Sequence, residues 1–238
     1  MSEKTSSSYS KIDLLESLDA KGLIHLWGTS GSGKTLFALQ SAAIRSKASH
    51  VLWISTDLKL SFIDLLKEYV DYYQGIQSNI SVIVTKGSSA AYSKICNLEG
   101  ELKDNTSLVV IDSLTRVLDM ARRNPSLWGR ELIEDILPFL SGLVRSKNIS
   151  ILCISECRNL GNSDPIPVFY EQIMKWANSD FHLKRQYGSF SSEIFDTINS
   201  FQIAEQKAGE DGFYILSPLP RKANQGEDST CLEEQSFV

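Results

Sequence analysis

The chain has 238 residues, enough for one α/β domain with a substantial core and little room for a second. Hydrophobic residues make up 42% and charged residues 22%, ordinary for a globular protein, and no apolar run in the sequence is long enough to span a bilayer. The net charge of -5 excludes attraction of the whole molecule to nucleic acid, so any such binding needs a local basic patch.

Residues 1–10 are polar and Ser-rich, without a signal-peptide core, and are expected to be disordered. Residues 12–18 read as a short amphipathic turn. Residues 23–27 form a nearly all-apolar strand that runs straight into Gly28. Residues 36–44 then continue with helical spacing. A second strand covers 51–55 and ends at Thr56 and Asp57. Phe62, Leu65, Leu66, Tyr69, Val70 and Tyr73 place an amphipathic helix over 59–73. A third strand covers 80–84, and a less regular helix 90–102. Residues 107–113 are a buried hydrophobic strand that delivers Asp112 at its carboxyl end. The apolar pattern over 128–147 predicts a helix that Pro138 kinks or divides. Residues 149–154 are another buried strand, ending at Ser155 and Glu156. Gly161, Pro165 and Pro167 make 157–169 an irregular loop. A helix over 170–177 follows, then strands at 181–184, 201–204 and 213–216. The polar, acidic stretch 221–238 is expected to be disordered, which leaves 11–220 as the core domain. Cys96, Cys153, Cys157 and Cys231 form no C-x-x-C pair and read as reduced thiols, and the scattered His25, His50 and His182 support no zinc site.

The segment Gly28-Thr29-Ser30-Gly31-Ser32-Gly33-Lys34-Thr35 fits G-x-x-x-x-G-K-[ST] at every fixed position. Its glycines let successive backbone N–H groups point into one concavity at a helix N-terminus, which holds a polyphosphate. Lys34 would reach the β- and γ-phosphates, and the Thr35 hydroxyl would take a Mg²⁺ position. A Gly/Ser surface loop is the rival reading, but strand, Gly-rich turn and helix occur here in the order the motif needs. Asp112 is placed where nucleotide hydrolases put the carboxylate that holds Mg²⁺. The repeated strand–helix alternation predicts a mostly parallel sheet with helices on both faces. The strand-rich ending predicts antiparallel strands at one edge.

These residues resemble the RecA/RadA recombinase ATPase core, and most of all its small accessory members. Those are archaeal RadB and the eukaryotic recombinase paralogues, including Shu-type complex subunits. The resemblance runs over about residues 12–216. Ile12-Asp13-Leu14-Leu15 is similar to the family's lead-in to the first strand, and Ile54-Ser55-Thr56-Asp57 stands where the family has Ile-Asp-Thr-Glu. Leu108-Val109-Val110-Ile111-Asp112-Ser113-Leu114-Thr115 is similar to its second nucleotide motif. Arg130-Glu131-Leu132 and Arg145-Ser146-Lys147-Asn148-Ile149 are similar to the helix and turn before its next strand.

The resemblance implies a RecA-like P-loop NTPase fold, ATP and Mg²⁺ as ligands, and catalytic roles for Lys34, Asp57 and Asp112. It also implies Ser155 and Glu156 at the phosphate-sensing position. Three departures shape the expectation. Asp57 is one methylene shorter than the family's catalytic glutamate, and a carboxylate withdrawn by about 1 Å aligns water poorly. Ser155-Glu156 replaces the family's Asn-Gln pair, which puts a negative charge near the γ-phosphate. The family's large N-terminal DNA-binding domain has no counterpart in these residues, and no Phe-x-x-Ala polymerising segment precedes the first strand. The expectation is a slow ATPase that serves as an accessory in homologous recombination and DNA repair, joined to recombinase or paralogue partners and acting with them on single-stranded DNA.

By the same resemblance, DNA would meet the segments after the Asp112 and Ser155 strands. These carry Arg116, Arg122, Arg123 and Arg130, and then Arg158 with Asn159, Gly161 and Asn162. The same arginines also read as a solvated helix end paired with Asp119, Glu131 and Glu134. A P-loop small-molecule kinase and a KaiC-like signalling ATPase are the rival functions. The first would need an arginine-bearing lid, and the second adjacent acids where this chain has Asp57-Leu58. The Ser-rich ends and altered site match a eukaryotic paralogue and hence the nucleus, whereas a prokaryotic chain would be cytoplasmic.

Overall fold

A strand covered on both faces must be apolar at nearly every position, and the runs around Leu26, Trp53, Val110 and Leu152 meet that condition. The computed structural model of the chain describes residues 13–56, 61–158, 165–186, 191–208 and 214–219. Its elements in order are α1 (Leu14–Ser17), β1 (Leu23–Gly28), α2 (Lys34–Arg45), β2 (His50–Ser55), α3 (Ser61–Tyr73), β3 (Ile80–Val84), α4 (Gly87–Cys96) and β4 (Thr106–Asp112). Then follow α5 (Leu137–Lys147), β5 (Ser150–Arg158), β6 (Ile166–Pro167), α6 (Tyr170–Met174), β7 (Ser179–Arg185), β8 (Ser191–Asp196), β9 (Phe201–Ala208) and β10 (Tyr214–Pro218).

Among the described residues the sheet runs β10-β9-β8-β7-β1-β5-β4-β2-β3, with the short β6 paired to β5. The strands from β7 to β3 along this path are parallel, and β7 to β10 are joined antiparallel. This is the mixed α/β sheet with an antiparallel C-terminal edge that the alternation predicts. Strand order departs from β1 in both directions, and such a switch point is where open α/β sheets bind ligands, at the carboxyl ends of the strands.

Period-two alternation divides the strand side chains between two cores. Ile24, Leu26, Trp53 and Val110 meet Phe37, Leu39 and Ala42 of α2 and Phe62, Leu66 and Tyr69 of α3 on one face. Leu23, Leu52, Val109 and Ile151 meet Ala91 and Ile95 of α4 and Leu137 and Leu140 of α5 on the other. Together they pin β1 so that its last residue, Gly28, emerges at a fixed point of the rim.

Several element limits differ from the sequence expectation. The predicted helix over 90–102 begins earlier, at Gly87, and ends at Cys96. Asn97 then caps it, with Nδ2 donating to Ser93 O at 2.8 Å, and a separate 3₁₀ turn covers Leu98–Glu101. The predicted helix over 128–147 is divided: wide π turns cover Glu131–Ile136 and a regular α-helix starts at Leu137, with Pro138 in its first turn. Proline has no N–H and its ring crowds the carbonyl four residues back, so the hydrogen-bond spacing changes just before it. Trp128 lies outside this helix, after a 3₁₀ turn at Pro125–Leu127. The predicted loop over 157–169 yields two residues to β5, and these pair with β6. The predicted helix over 170–177 ends at Met174. Strand β8 has no counterpart in the sequence reading. The expected tails at 1–10 and 221–238 lie outside the described residues, as do Asp57, Asn159, Gly161, Asn162 and the side chain of Arg158.

Candidate functional site

Buried throughout, β1 leads into the turn from Thr29 to Gly33, and α2 starts at Lys34. Two glycines are required here. A Cβ on Gly28 would collide with the carbonyl oxygen of Leu183 and lie 2.7 Å from Ser32 Oγ. Gly33 has φ +92°, which side chains rarely adopt, and a Cβ there would strike the amide of Gln206. The first N–H groups of α2 have no partner within their own helix and so face the turn as donors.

Lys34 is buried, and its Nζ donates to Gly28 O at 3.0 Å and to Thr29 O at 2.8 Å. The ammonium is thereby held over the concavity of its own loop. Asp112 ends β4, two strands from β1 across β5, and its Oδ2 accepts from Thr35 Oγ1 at 2.9 Å. The Asp112–Ser113 peptide is cis. Thr56 ties the end of β2 to this point: its hydroxyl donates to Ser113 O at 3.0 Å and accepts from Ser113 N at 2.8 Å. Ser30, Gly31, Gly33, Lys34, Thr35 and Leu36 of the turn and α2 line an open cavity of about 240 Å³ together with Asp112, Glu156, Arg185, Ser191 and Ser192.

The two residues expected at the phosphate-sensing position separate. Ser155 is fully buried in β5 beside Trp27, whereas Glu156, in register with Gly28, lines the cavity. Arg116 Nη2 is 3.9 Å from Glu156 Oε2, and both side chains are partly exposed. Cys157 follows, its thiol pushed up to about 11 by burial against the opposing pull of Lys34 and the Gly28 N–H. It is therefore a protonated neighbour of the loop.

The expected DNA-contacting arginines are disposed differently from one another. Arg122 pairs with Glu131 and, at 3.7 Å, with Asp119, while Nη1 reaches Leu127 O at 3.4 Å. Arg130 pairs with Glu134 at 3.0 Å. Arg123 is exposed, with no ion pair among the described residues.

Arg185, Ser191, Ser192 and Gln206 are the residues of this region that the sequence reading missed. Arg185 carried a usable signal, since it stands at the carboxyl end of its strand, as Asp112 does of β4. The two serines and the glutamine carry none, because nothing in their sequence shows that they face a loop 160 residues away.

A central parallel sheet, a Gly-rich turn after its first strand and a carboxylate two strands away define a RecA-like α/β fold. The chain is similar to a solved structure described as the RadB recombinase, with 18% identity and a TM-score of 0.68, over 89% of this chain and 100% of that one. No protein-family model matches the sequence, and no curated protein matches it.

Proposed function

We propose that this chain binds ATP with Mg²⁺ and acts as an accessory protein of homologous recombination and DNA repair. The observation that carries the nucleotide reading is the Thr35 Oγ1–Asp112 Oδ2 pairing, which lines the cavity together with Lys34. A hydroxyl and a carboxylate are hard oxygen donors of the kind Mg²⁺ takes, and a compact ammonium suits phosphate oxygens. Thr35 and Asp112 would hold the metal, which would neutralise phosphate charge. Lys34 would exchange the two loop carbonyls for β- and γ-phosphate oxygens, and the N-terminal N–H groups of α2 would cradle the chain of phosphates.

The likeness in fold to RadB supports a recombination setting, and the sequence resemblance supports recombinase or paralogue partners on single-stranded DNA. Slow turnover follows from the short Asp57 and from the Glu156 charge on the cavity wall. The test is calorimetric titration with MgATP. Lys34→Ala should weaken binding, and Lys34→Arg should mostly spare it while impairing turnover. Equal affinity for wild type and Lys34→Ala would defeat the nucleotide reading. Recovery of metabolic enzymes rather than recombination proteins in an affinity pull-down from the native host would defeat the recombination reading.

A further inference from the structure

Part of the cavity lining beside the P-loop comes from strands that no motif marks. Leu183, Ile194 and Ala204 stand side by side on β7, β8 and β9 and belong to the core. Two residues along each strand, on the same face, stand Arg185, Ser192 and Gln206. This second row is polar and meets the P-loop. Ser192 Oγ donates to Ser32 O at 2.8 Å, and the fully buried Gln206 amide abuts Gly33. Arg185 completes the row, with Nη1 3.3 Å from the place a Cβ on Gly31 would occupy.

A brace fixes the hairpin end that carries this arginine. Gln186 N donates to Ser191 O at 3.1 Å, Ser191 Oγ donates to Gln186 Oε1 at 2.7 Å, and Gln186 Nε2 donates to Glu193 Oε1 at 2.9 Å. Arg116, Arg122 and Arg130 each face an acid, but Arg185 has no ion pair among the described residues. Charge gives it a task. The cavity lining holds two acids, Asp112 and Glu156, and two cations, Lys34 and Arg185. Without Arg185 the lining would be net negative, and a magnesium-bound triphosphate, itself anionic, would meet repulsion.

We propose that Arg185 is a phosphate-binding residue of the nucleotide site, supplied by the same chain, whose guanidinium contacts the phosphate tail across the loop from Lys34. The proposal rests on the nucleotide reading above.

The experiment is calorimetric titration of the full chain with MgATP and, separately, with magnesium tripolyphosphate. Arg185→Ala should weaken both by about 10- to 100-fold, the range for a hydrogen bond to a charged group. Arg185→Lys should fall between, since it keeps the charge and loses the fork. The melting temperature without ligand should stay at the wild-type value, because Arg185 is exposed. Wild-type affinity in Arg185→Ala, alongside lost affinity in Lys34→Ala, would overturn this proposal and leave the nucleotide reading standing. A loss for MgATP but not for tripolyphosphate would overturn the phosphate contact and place the guanidinium on the base. A lowered melting temperature with no recovery in Arg185→Lys would make Arg185 a fold residue and also overturn it. Failure of the wild type to bind either ligand would overturn both readings.

Discussion

Asp180 anchors the strand from which the P-loop springs. It is fully buried; Oδ1 meets His25 Nδ1 at 2.6 Å, and Oδ2 accepts from Trp27 Nε1 at 2.9 Å, Tyr170 OH at 2.9 Å and the Thr197 hydroxyl. Burial opposes the carboxylate, but the hydrogen bond and electrostatic pull of His25, with the Thr197 and Trp27 hydrogen bonds, hold its pKa below the usual range. A lowered folded pKa means that the unfolded chain binds the proton more readily. Stability from this group is therefore intact at neutral pH and is lost as pH drops below about 3.9 towards the folded value. Asp180→Asn should cost about 2–4 kcal/mol at pH 7 and make the acid loss shallower, as read from urea midpoints between pH 3 and 7. Asp57 belongs to the same scale by chemistry. If Asp57 is the base, Asp57→Glu should raise steady-state phosphate release and Asp57→Asn should abolish it with MgATP binding intact, since a reach shorter by one methylene, about 1 Å, costs on the order of a hundredfold. Full activity in Asp57→Asn would assign the base elsewhere.

Between β4 and α5 the arginines divide into two kinds. Arg122 is enclosed by Glu131, Asp119 and the Leu127 carbonyl, so Arg122→Ala should lower the melting temperature. Arg123 is exposed, and if this segment meets single-stranded DNA, Arg123→Ala should lower the log–log salt slope by about 0.7 with the melting temperature unchanged. An unchanged slope would place the DNA on other residues or on a partner. The same comparison explains which elements could be read in advance. β1, the glycine turn and β4 were legible because apolar runs and a fixed spacing are written in adjacent residues. β8 was not legible, because Ser192 is buried against the glycine loop and Ser191 bonds Gln186, so neither is buried as an apolar strand residue would be. The division at Pro138 was legible as a break, but the π turns that accommodate it were not, since their spacing depends on how Leu132 and Ile136 seat in the core. The separation of Ser155 from Glu156 follows from strand alternation alone and could have been stated in advance.

For the molecule as a whole, nucleotide should act as a structural ligand. The P-loop touches both the parallel core and the antiparallel edge, so a ligand held there favours only the fully assembled sheet. At a hundred times its dissociation constant, MgATP should add about 2.7 kcal/mol of stability, or roughly 5–11 °C in melting temperature for a chain of this size. Scanning calorimetry with and without MgATP checks this, and Lys34→Ala should show a much smaller shift. Equal shifts in the two proteins would mean that the stabilisation comes from another site.

The Ser192–Ser32 bond spans 160 residues of sequence, which gives the protein a schedule during its own synthesis. The loop leaves the ribosome early, but the strands that back it are translated about 8–32 s later at ordinary elongation speeds of 5–20 residues per second. A nascent chain thus carries an exposed glycine loop without its wall for most of its time on the ribosome. Chains arrested before Ser191 emerges should fail to retain MgATP, and chains arrested once Gln206 is well clear of the tunnel should retain it. On the nucleotide reading, binding competence would be among the last properties that translation confers on this chain.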